Sequence, residues 1–373
     1  MAGPTRFELL VGSNAFWARA AEDIGRATRR VLIQAMTFEG DDAGHAVAAA
    51  ITGSAAADRR VLVDAYTRWV VSDRFVWAPA SLLDRALRAE VRATKIMFSS
   101  LSAGGVGVRE TNPVGPFFLR YPARNHKKLI VTDDVAYVGG INFSDHNFAW
   151  PDFMLRLEGA RAAETLAADF EATFAGAPYA WRADLGDLQL ASMDGRDNIA
   201  AFGDVAALIE GARTGITIIS PYLTFPFIEM FAAAAARGVA VELITPWASN
   251  KVLVRNALVA RAARAGFAVK LLPGMTHLKG LLIDGTHLVL GSSNFDFVSL
   301  AAEEELMAVI TNPVLIADFR ARVIAPAALA AAAPGAHSVS PLLGWLSQWC
   351  LMIAQPVARA ARHAPRRAID WKA

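Results

Sequence analysis

A pattern of histidine, lysine and aspartate occurs twice in this chain and constrains its fold more than any other feature. Both copies read H-x-K-x4-D, and their residues are His126, Lys128 and Asp133 in the first copy and His277, Lys279 and Asp284 in the second. Each copy then reaches a run of small residues and an asparagine, Gly139-Gly140-Ile141-Asn142 or Gly291-Ser292-Ser293-Asn294. A single pattern would arise as a surface accident in roughly one chain in a few tens, but two copies with the same ending would not. The repeat therefore predicts one site assembled from two halves.

Each copy predicts a β-hairpin. The apolar runs 129–131 and 281–283 are typical of buried strands, and the turn signals Asp133-Asp134 and Asp284-Gly285 follow them. Successive side chains of a strand alternate between its faces, so a histidine and a lysine two residues later project from the same face. An imidazole beside an ammonium group suits binding and attacking a phosphate.

The surrounding chain predicts an α/β fold with an internal duplication. In the first half, strands at 31–38 and 60–64 enclose an alanine-rich helix, which is a β-α-β order with parallel strands. The second half repeats this order, with predicted helices at 204–213, 227–237 and 252–265 and strands at 216–220, 239–244 and 268–272. A repeat of about 150 residues is too long for a solenoid and suits two fused domains. We predict domains at 1–180 and 181–325, joined by the polar stretch Pro178–Asn198, and a linker and tail at 326–373.

The paired motifs resemble those of the phospholipase D superfamily, and RNHKKLIVTDDVAYVGGIN resembles the first motif of bacterial cardiolipin synthases. The resemblance extends over nearly the whole chain to about Arg322. Two departures are visible. The first copy reaches its glycine one residue sooner after the aspartate, and Val298 stands where many relatives carry an arginine before Ser299. The resemblance implies two similar α/β domains packed face to face, with one shared active site at their interface.

The resemblance also implies a role for two further carboxylates. Asp152 and Glu305 each stand before an apolar strand after their motif, and an acid at this place in the family hydrogen-bonds the motif histidine of its own half. This pairs Asp152 with His126 and Glu305 with His277. Glu303 and Glu304 offer alternative registers for the second acid. Asp133 and Asp284 lie at turns, so we interpret them as structural residues that fix the loop and the lysine.

The residue types predict phosphodiester chemistry through a phosphohistidine. One imidazole attacks phosphorus, while the other protonates the departing alcohol and deprotonates the incoming one. Lys128, Lys279, Asn142 and Asn294 would hold the non-bridging oxygens. We expect no metal and no other cofactor, since neither half shows the carboxylate cluster of two-metal catalysis. By resemblance His126 is the nucleophile, but the symmetry of the motifs leaves the order of the two histidines open.

Composition indicates where the protein acts. The 373 residues are 54% hydrophobic, as in a packed globular protein, and the lone Cys350 offers neither a disulfide framework nor a cysteine zinc site. The N-terminus lacks the pattern of a secretory signal, so we expect a cytoplasmic protein. The formal net charge is only +2, and no basic stripe interleaved with aromatic residues is visible, so we expect no nucleic-acid partner.

The C-terminal tail predicts a membrane contact. Residues 342–354 are strongly apolar and contain Trp345 and Trp349, yet this run is shorter than the roughly 20 residues that span a bilayer. Basic residues follow at Arg359, Arg362, Arg366, Arg367 and Lys372. This combination suits a helix lying in the interface of an anionic membrane, which places the protein on the inner face of the cell membrane. The alternative is a helix docked on the core of the protein itself.

We therefore expect a phosphatidyltransferase that acts on phospholipid, with cardiolipin synthase as the sharpest form of the prediction. A phospholipase D that releases phosphatidic acid and a nuclease of the same superfamily remain alternatives, because both break a phosphodiester through two histidines. A scaffold that only binds lipid would show eroded motifs, and both motifs are intact. The sequence leaves open the head groups, the choice between transfer and hydrolysis, and the oligomeric state.

Overall fold

The computed structural model describes residues 5–196, 198–332, 335 and 337–372. Its internal contacts divide the chain into two compact units. The first unit runs to Tyr179 and resumes at Ala364, and the second unit is Ala180–His363.

The strands in the described residues are β1 Arg6–Val11, β2 Arg30–Ala35, β3 Asp58–Asp64, β4 Val70–Val71, β5 Arg74–Phe75, β6 Gly107–Thr111, β7 Leu129–Val131, β8 Val135–Gly139, β9 Phe153–Glu158, β10 Trp181–Asp184, β11 Leu188–Asp194, β12 Gly215–Ile219, β13 Ala240–Pro246, β14 Ala268–Leu272, β15 Gly280–Ile283, β16 His287–Gly291, β17 Glu304–Ile310 and β18 Ala368–Asp370. The α-helices are α1 Ser13–Arg26, α2 Asp42–Gly53, α3 Pro79–Leu83, α4 Arg85–Ala103, α5 Asp145–Ala149, α6 Ala160–Phe174, α7 Asn198–Gly211, α8 Phe227–Ala236, α9 Val252–Arg264, α10 Phe297–Ala301, α11 Pro313–Phe319, α12 Ala325–Ala330 and α13 Pro341–Ala361.

The two units contain sheets of the same internal order. The first is β1-β9-β8-β7-β2-β3-β6-β18 and the second is β10-β11-β17-β16-β15-β12-β13-β14. In each sheet three consecutive strands are parallel, β2-β3-β6 or β12-β13-β14, and the motif hairpin pairs antiparallel with the first of them. The predicted α/β class and internal duplication are confirmed.

Local sequence explains why the elements begin where they do. The Asp41 carboxylate caps α2 by accepting a hydrogen bond from the Gly44 amide, and Asn312 caps α11 in the same way before Pro313. The strands that carry the motifs are buried on both faces, because helices cover the central part of each sheet. Each unit has its own apolar core, with Phe16, Ile33 and Tyr137 in the first and Phe227, Phe231 and Leu281 in the second.

The predicted join and tail differ from the structure. Residues 178–198 contain β10 and β11, because the alternating Leu188, Leu190 and Ser192 side chains are buried where β11 pairs with β17. The stretch 326–373 is divided between the two units, since α13 packs on α9 and β18 pairs with β6. Within the predicted linker, α12 continues to Ala330, and residues 333 and 334 lie outside the described residues.

Helix α13 faces its neighbours with small residues. Gly344 lies so close to Ala260 of α9 that a Cβ atom at Gly344 would be 2.3 Å from the Ala260 Cβ, and Ser347 is fully buried. Several large apolar side chains of this helix are partly exposed, including Trp345 and Trp349, which also line a cavity with Phe225 and Ile228. Among the described helices, none is both long enough and apolar enough to cross a membrane.

Candidate functional site

The motif histidine and lysine of each unit lie in the segment that enters the first strand of a hairpin. His126 and Lys128 precede β7, and His277 and Lys279 precede β15, so these residues are not inside the strand as predicted. Both histidines are buried, with 5% and 6% of their surface exposed, and both lysines are fully buried. Pairing with β2 or β12 begins only at the residue after each lysine, so the histidine backbone lies outside the sheet.

The lysine nevertheless lies close to its histidine. Lys128 Nζ donates to the His126 carbonyl at 2.6 Å, and Lys279 Nζ donates to the His277 carbonyl at 2.7 Å. In the second unit Lys279 Nζ also lies 2.9 Å from His277 Nδ1. The imidazole tautomer sets which atom donates in this contact. In both units the lysine thus contacts the histidine backbone, and in the second unit its Nζ also contacts the imidazole.

The motif aspartates anchor the backbone at the start of a neighbouring strand. The Asp133 carboxylate accepts hydrogen bonds from the amides of residues 28, 29 and 30 at 2.9–3.0 Å, where β2 begins. The Asp284 carboxylate accepts hydrogen bonds from the amides of residues 213, 214 and 215 at 2.8–3.2 Å, where β12 begins. These contacts agree with a structural role in fixing the turn, while the role in fixing the lysine stays a prediction.

These backbone hydrogen bonds also control the acidity of the two carboxyls. Burial alone would raise the pKa of Asp133, but the backbone amides outweigh it and hold that pKa below its ordinary value. The same balance lowers the pKa of Asp284 to about 2. Both groups are therefore ionised at neutral pH and are poorly suited to carry protons.

Strand register identifies the two supporting acids. Gly139 pairs with Met154 and Gly291 pairs with Met307, so Asp152 and Glu305, each two residues before its methionine, occupy equivalent positions. This register selects Glu305 over its two acidic neighbours. Both acids are buried. The predicted pairing of each acid with the histidine of its own half stays a prediction.

The small-residue runs are required by close approach to these acids. A Cβ atom at Gly140 would lie 2.5 Å from both carboxylate oxygens of Asp152. The equivalent residue in the second unit is Ser292, whose hydroxyl donates to the Glu305 carboxylate. Gly291 has φ +153°, and a Cβ atom there would lie 2.3 Å from the Leu306 carbonyl oxygen. The glycine-rich ending of each motif thus makes room for the strand that carries the acid.

The second unit surrounds Glu305 with hydrogen bonds that the sequence did not reveal. Ser299 Oγ donates to Glu305 Oε1 at 2.7 Å and to Glu303 Oε2 at 3.1 Å. Ser299 is in turn held by the buried Asp296, which caps α10. Burial, together with the nearby Glu305 charge, raises the pKa of Asp296 to about 6. Val298, the departure from the family pattern, lies in α10 next to this group.

The two motif asparagines are buried beside strand ends. Asn142 Oδ1 accepts a hydrogen bond from the Thr37 amide at 3.3 Å, just after β2. The backbone carbonyl of Asn294 accepts a hydrogen bond from Ser220 Oγ at 2.9 Å, just after β12. Asn294 Oδ1 is buried and has no hydrogen-bond partner among the described residues. An unsatisfied polar atom of this kind is consistent with a position that contacts substrate.

Sequence reasoning missed the buried ion pair that holds the first motif. Asp64, at the end of β3, accepts hydrogen bonds from Arg124 Nη1 and from the Asn125 amide, both at 2.7 Å. Burial raises the pKa of Asp64, and the Arg124 charge opposes that rise. Asn125 Oδ1 also accepts from Gln34 Nε2 at 2.8 Å. The signal for this arrangement was an aspartate ending an apolar run, which identifies no partner by itself.

Lys127, between the two motif residues, points the opposite way. Its Nζ lies 2.8 and 2.9 Å from the two carboxylate oxygens of Asp169 in α6, and both side chains are fully buried. This pair fastens the motif segment to the helix behind the sheet.

Tyr222 is a further candidate for the site. Its ring meets His277 edge-on, with ring centroids 6.1 Å apart, and its hydroxyl donates to Asn250 Oδ1 at 2.6 Å. Such a ring limits the orientations open to the imidazole.

Comparisons with known proteins agree with this geometry. Residues 205–324 match the family model described as "Cardiolipin synthase, PLD-like domain". The chain is 29% identical over 252 residues to the minor cardiolipin synthase of Bacillus subtilis, covering 60% of this chain and 61% of that protein. It is 26% identical over 342 residues to cardiolipin synthase B of Escherichia coli, covering 82% of this chain and 76% of that protein.

A solved structure shows the same fold over almost the full length. It is the phosphatidylserine synthase of Haemophilus influenzae, with a TM-score of 0.69 at 14% identity and 95% coverage of both chains. The motifs, the two sheets of like order and these matches agree, and the chain is similar to the cardiolipin synthases of the phospholipase D superfamily.

Proposed function

We propose that this protein is a phosphatidyltransferase that acts on phospholipid phosphodiesters, and that it makes cardiolipin from two molecules of phosphatidylglycerol or from a related donor and acceptor. One observation carries the proposal. Each unit holds a buried histidine and lysine in contact at the same place, just before the first strand of its hairpin. Two such pairs supply what phosphodiester exchange needs, which is a nucleophile, an acid and base, and positive charge for the phosphate oxygens.

In the proposed mechanism the two histidines divide the work at one shared site. His126 attacks phosphorus and forms a phosphohistidine as the bond to the head-group alcohol breaks, and His277 protonates that alcohol. His277 then removes the proton from the acceptor hydroxyl, whose oxygen attacks phosphorus and releases His126. For this proton balance His277 enters the first step as an imidazolium and leaves it as the neutral base of the second step.

The remaining motif residues bind and orient. The lysines and asparagines of the two motifs would hold the non-bridging oxygens, where negative charge builds up. Asp152 and Glu305 would orient the imidazoles. The mechanism uses no metal and no other cofactor.

We further propose that α13 places the protein on the cytoplasmic face of an anionic membrane. Trp345, Trp349 and Ile353 are 49%, 47% and 68% exposed, whereas the buried residues of the helix are all small: Gly344, Ser347, Ala358 and Ala361. An outward apolar surface flanked by arginines suits the interfacial layer of a bilayer. The basic cluster is smaller than the sequence suggested, because Arg366 is 96% buried. Packing of α13 on the protein leaves about half of the surface of Trp345 and Trp349 exposed, and membrane contact would cover it.

Product analysis tests the enzymatic proposal. Purified protein is incubated with phosphatidylglycerol vesicles and the lipids are identified by mass spectrometry. We expect cardiolipin and glycerol from the wild type and from His287→Ala, a control in β16 of the second hairpin, and neither product from His126→Ala or His277→Ala. Phosphatidic acid in place of cardiolipin would indicate a hydrolase. No turnover of any phospholipid, with cleavage of a nucleic acid, would refute the proposed substrate class.

Vesicle flotation tests the membrane proposal separately. We expect wild-type protein to float with vesicles that contain phosphatidylglycerol, and a Trp349→Ser, Ile353→Ser variant to stay in the dense fraction. An equally polar change on an exposed residue elsewhere, Leu329→Ser, serves as the control. Equal flotation of all three proteins would show that α13 is not the membrane contact.

A further inference from the structure

Three carboxylates from different elements of the first unit converge on one point. Glu39 follows β2, Asp41 caps α2, and Glu90 lies in the second turn of α4. Each contributes an oxygen, and these oxygens all lie within 4.8 Å of one another. A cluster of this kind was not expected from the sequence, because Glu90 is about 50 residues beyond the other two and only the folded chain brings α4 beside them.

The chain packs tightly to form this arrangement. Gly40 has no room for a side chain, since a Cβ atom there would lie 2.3 Å from the Thr94 backbone nitrogen. The Gly40 amide donates to Thr94 Oγ1 at 2.8 Å, and Thr94 Oγ1 donates to the Glu90 carbonyl at 2.9 Å. Helix α4 is thereby held against the loop that carries Glu39 and Asp41.

The groups that donate hydrogen bonds to the three carboxylates are all uncharged. Ser72 donates its amide to Glu39 Oε2 at 2.9 Å and its hydroxyl to both Glu90 oxygens at 2.7 and 2.9 Å. Asp41 accepts from the amides of Gly44 at 3.0 Å and Asp145 at 2.6 Å. In the described part of the chain, no lysine or arginine forms an ion pair with any of the three. The three carboxyls therefore lie together without an ion pair to a lysine or arginine of the described residues.

Glu39 supplies an independent indication of a ligand. Its side chain is about 99% buried, yet Oε1 has no hydrogen-bond partner among the described residues. A buried carboxylate oxygen that nothing satisfies costs free energy unless a proton or a cation binds it. Burial, followed by a side-chain hydrogen bond with Glu90 and the charge of that residue, raises the pKa of Glu39 to about 9, and burial raises the pKa of Asp41. The imidazole of His146 lies 3.8 Å from Glu39 Oε2, and burial lowers the pKa of that ring, so it adds little positive charge.

We propose that Glu39, Asp41 and Glu90 form a binding site for a hard divalent cation of the size of Ca²⁺. Oxygen-only ligands suit Ca²⁺, whose bonds to oxygen are about 2.3–2.6 Å long, so two of its ligands are at most about 5 Å apart. The oxygens of the three residues, all within 4.8 Å of one another, satisfy this condition. Three carboxylates from the protein also favour Ca²⁺ over Mg²⁺, which is usually bound through only one or two carboxylates and keeps several waters. Water would complete the coordination.

The bound cation would fix the hairpin β4–β5 to the body of the first unit. Ser72 and Asp73, at the tip of this hairpin, both have positive φ, and Ser72 reaches the site through its amide and hydroxyl. The same hairpin carries Trp69 and Phe75, which stack on each other with centroids 6.4 Å apart. The site is separate from the motif residues, so this inference does not depend on the proposed enzymatic function.

Calorimetry and thermal unfolding of the full-length, chelator-treated protein test the site. We expect one Ca²⁺ to bind per chain, a rise in the melting temperature with Ca²⁺, and weaker binding of Mg²⁺. Glu90→Gln and Glu39→Gln should each raise the Kd for Ca²⁺ at least tenfold. Glu171→Gln, which changes an exposed acid of the same unit, should leave it unchanged.

Three outcomes would overturn the inference. One is no Ca²⁺ binding up to about 10 mM, above the weakest range of natural calcium modules. Another is a Kd in Glu90→Gln equal to that of the wild type. A third is tighter binding of Mg²⁺ than of Ca²⁺, which would refute the assigned size. If the glutamates instead share a proton, Glu90→Gln will fold normally and the wild-type melting temperature will not respond to Ca²⁺.

Discussion

Lys127 offers the most direct test of how the first motif is held. Replacing it with methionine keeps the length of the side chain but removes the ammonium group that lies 2.8 and 2.9 Å from the Asp169 carboxylate. Both side chains are fully buried, so the charge of Asp169 then lacks its cationic partner in a medium of low dielectric. Removing one member of a buried ion pair costs about 3–5 kcal/mol. We expect Lys127→Met to lower the free energy of unfolding of the first unit by that amount.

Urea unfolding followed by circular dichroism measures this loss, and two further variants sharpen it. Lys270→Met removes half of a partly exposed pair, Lys270 with Glu242 at 2.5 Å, and should cost less than about 1 kcal/mol. The double variant Lys127→Met, Asp169→Leu replaces both charges by apolar groups and should recover most of the loss. The reasoning fails if Lys127→Met costs less than about 1 kcal/mol, or if the double variant is no more stable than the single one.

Three other predictions follow from the second unit. Asp284→Asn should lower the free energy of unfolding by about 1–2 kcal/mol at neutral pH, because a carboxylate acceptor of several amides is lost. Because the folded pKa of about 2 lies below the unfolded value near 3.9, this stabilisation should be present above about pH 4 and vanish as the pH falls through 2. A cost that is independent of pH in urea titrations would contradict the prediction. Gly291→Ala should lower stability by about 1–3 kcal/mol in thermal unfolding, because φ is +153° and the new methyl group would clash with the Leu306 carbonyl. An unchanged melting temperature would show that the strand can move to accommodate the methyl group. Tyr222→Phe should keep turnover within a few fold of the wild type, whereas Tyr222→Ala should lower it more than tenfold, because the ring and not the hydroxyl packs on His277. Equal turnover in both variants would show that Tyr222 is not part of the site.

Structural features that depend on residues close together in the sequence were predictable. The order of strands and helices followed from apolar runs and turn residues, and the contact between His277 and Lys279 followed from their spacing. The register between Gly291 and Met307 then fixed Glu305 as the partner of Asp152 in the repeat, which the run of three glutamates had left open.

Features that depend on contacts between distant residues were not predictable. Strand β11 was predicted as a linker because it mixes polar and apolar residues, and Leu188, Leu190 and Ser192 are buried where it pairs with β17. Asp64 and Arg124 are 60 residues apart, and nothing local to either residue identifies the other. The same holds for Glu39 and Glu90, whose proximity depends on the packing of α4 rather than on any sequence pattern.

The last strand of the chain has a consequence for synthesis on the ribosome. Strand β18 pairs antiparallel with β6 at the edge of the first sheet, and Trp371 behind it packs on Phe98 and under the Arg68 guanidinium. Residues up to Tyr179 therefore emerge and collapse while β6 is still an open edge, a state prone to pairing with other chains. The first unit is closed only after the whole second unit has been translated. A nascent chain stalled before Ala368 would carry the complete first motif but an unprotected sheet edge.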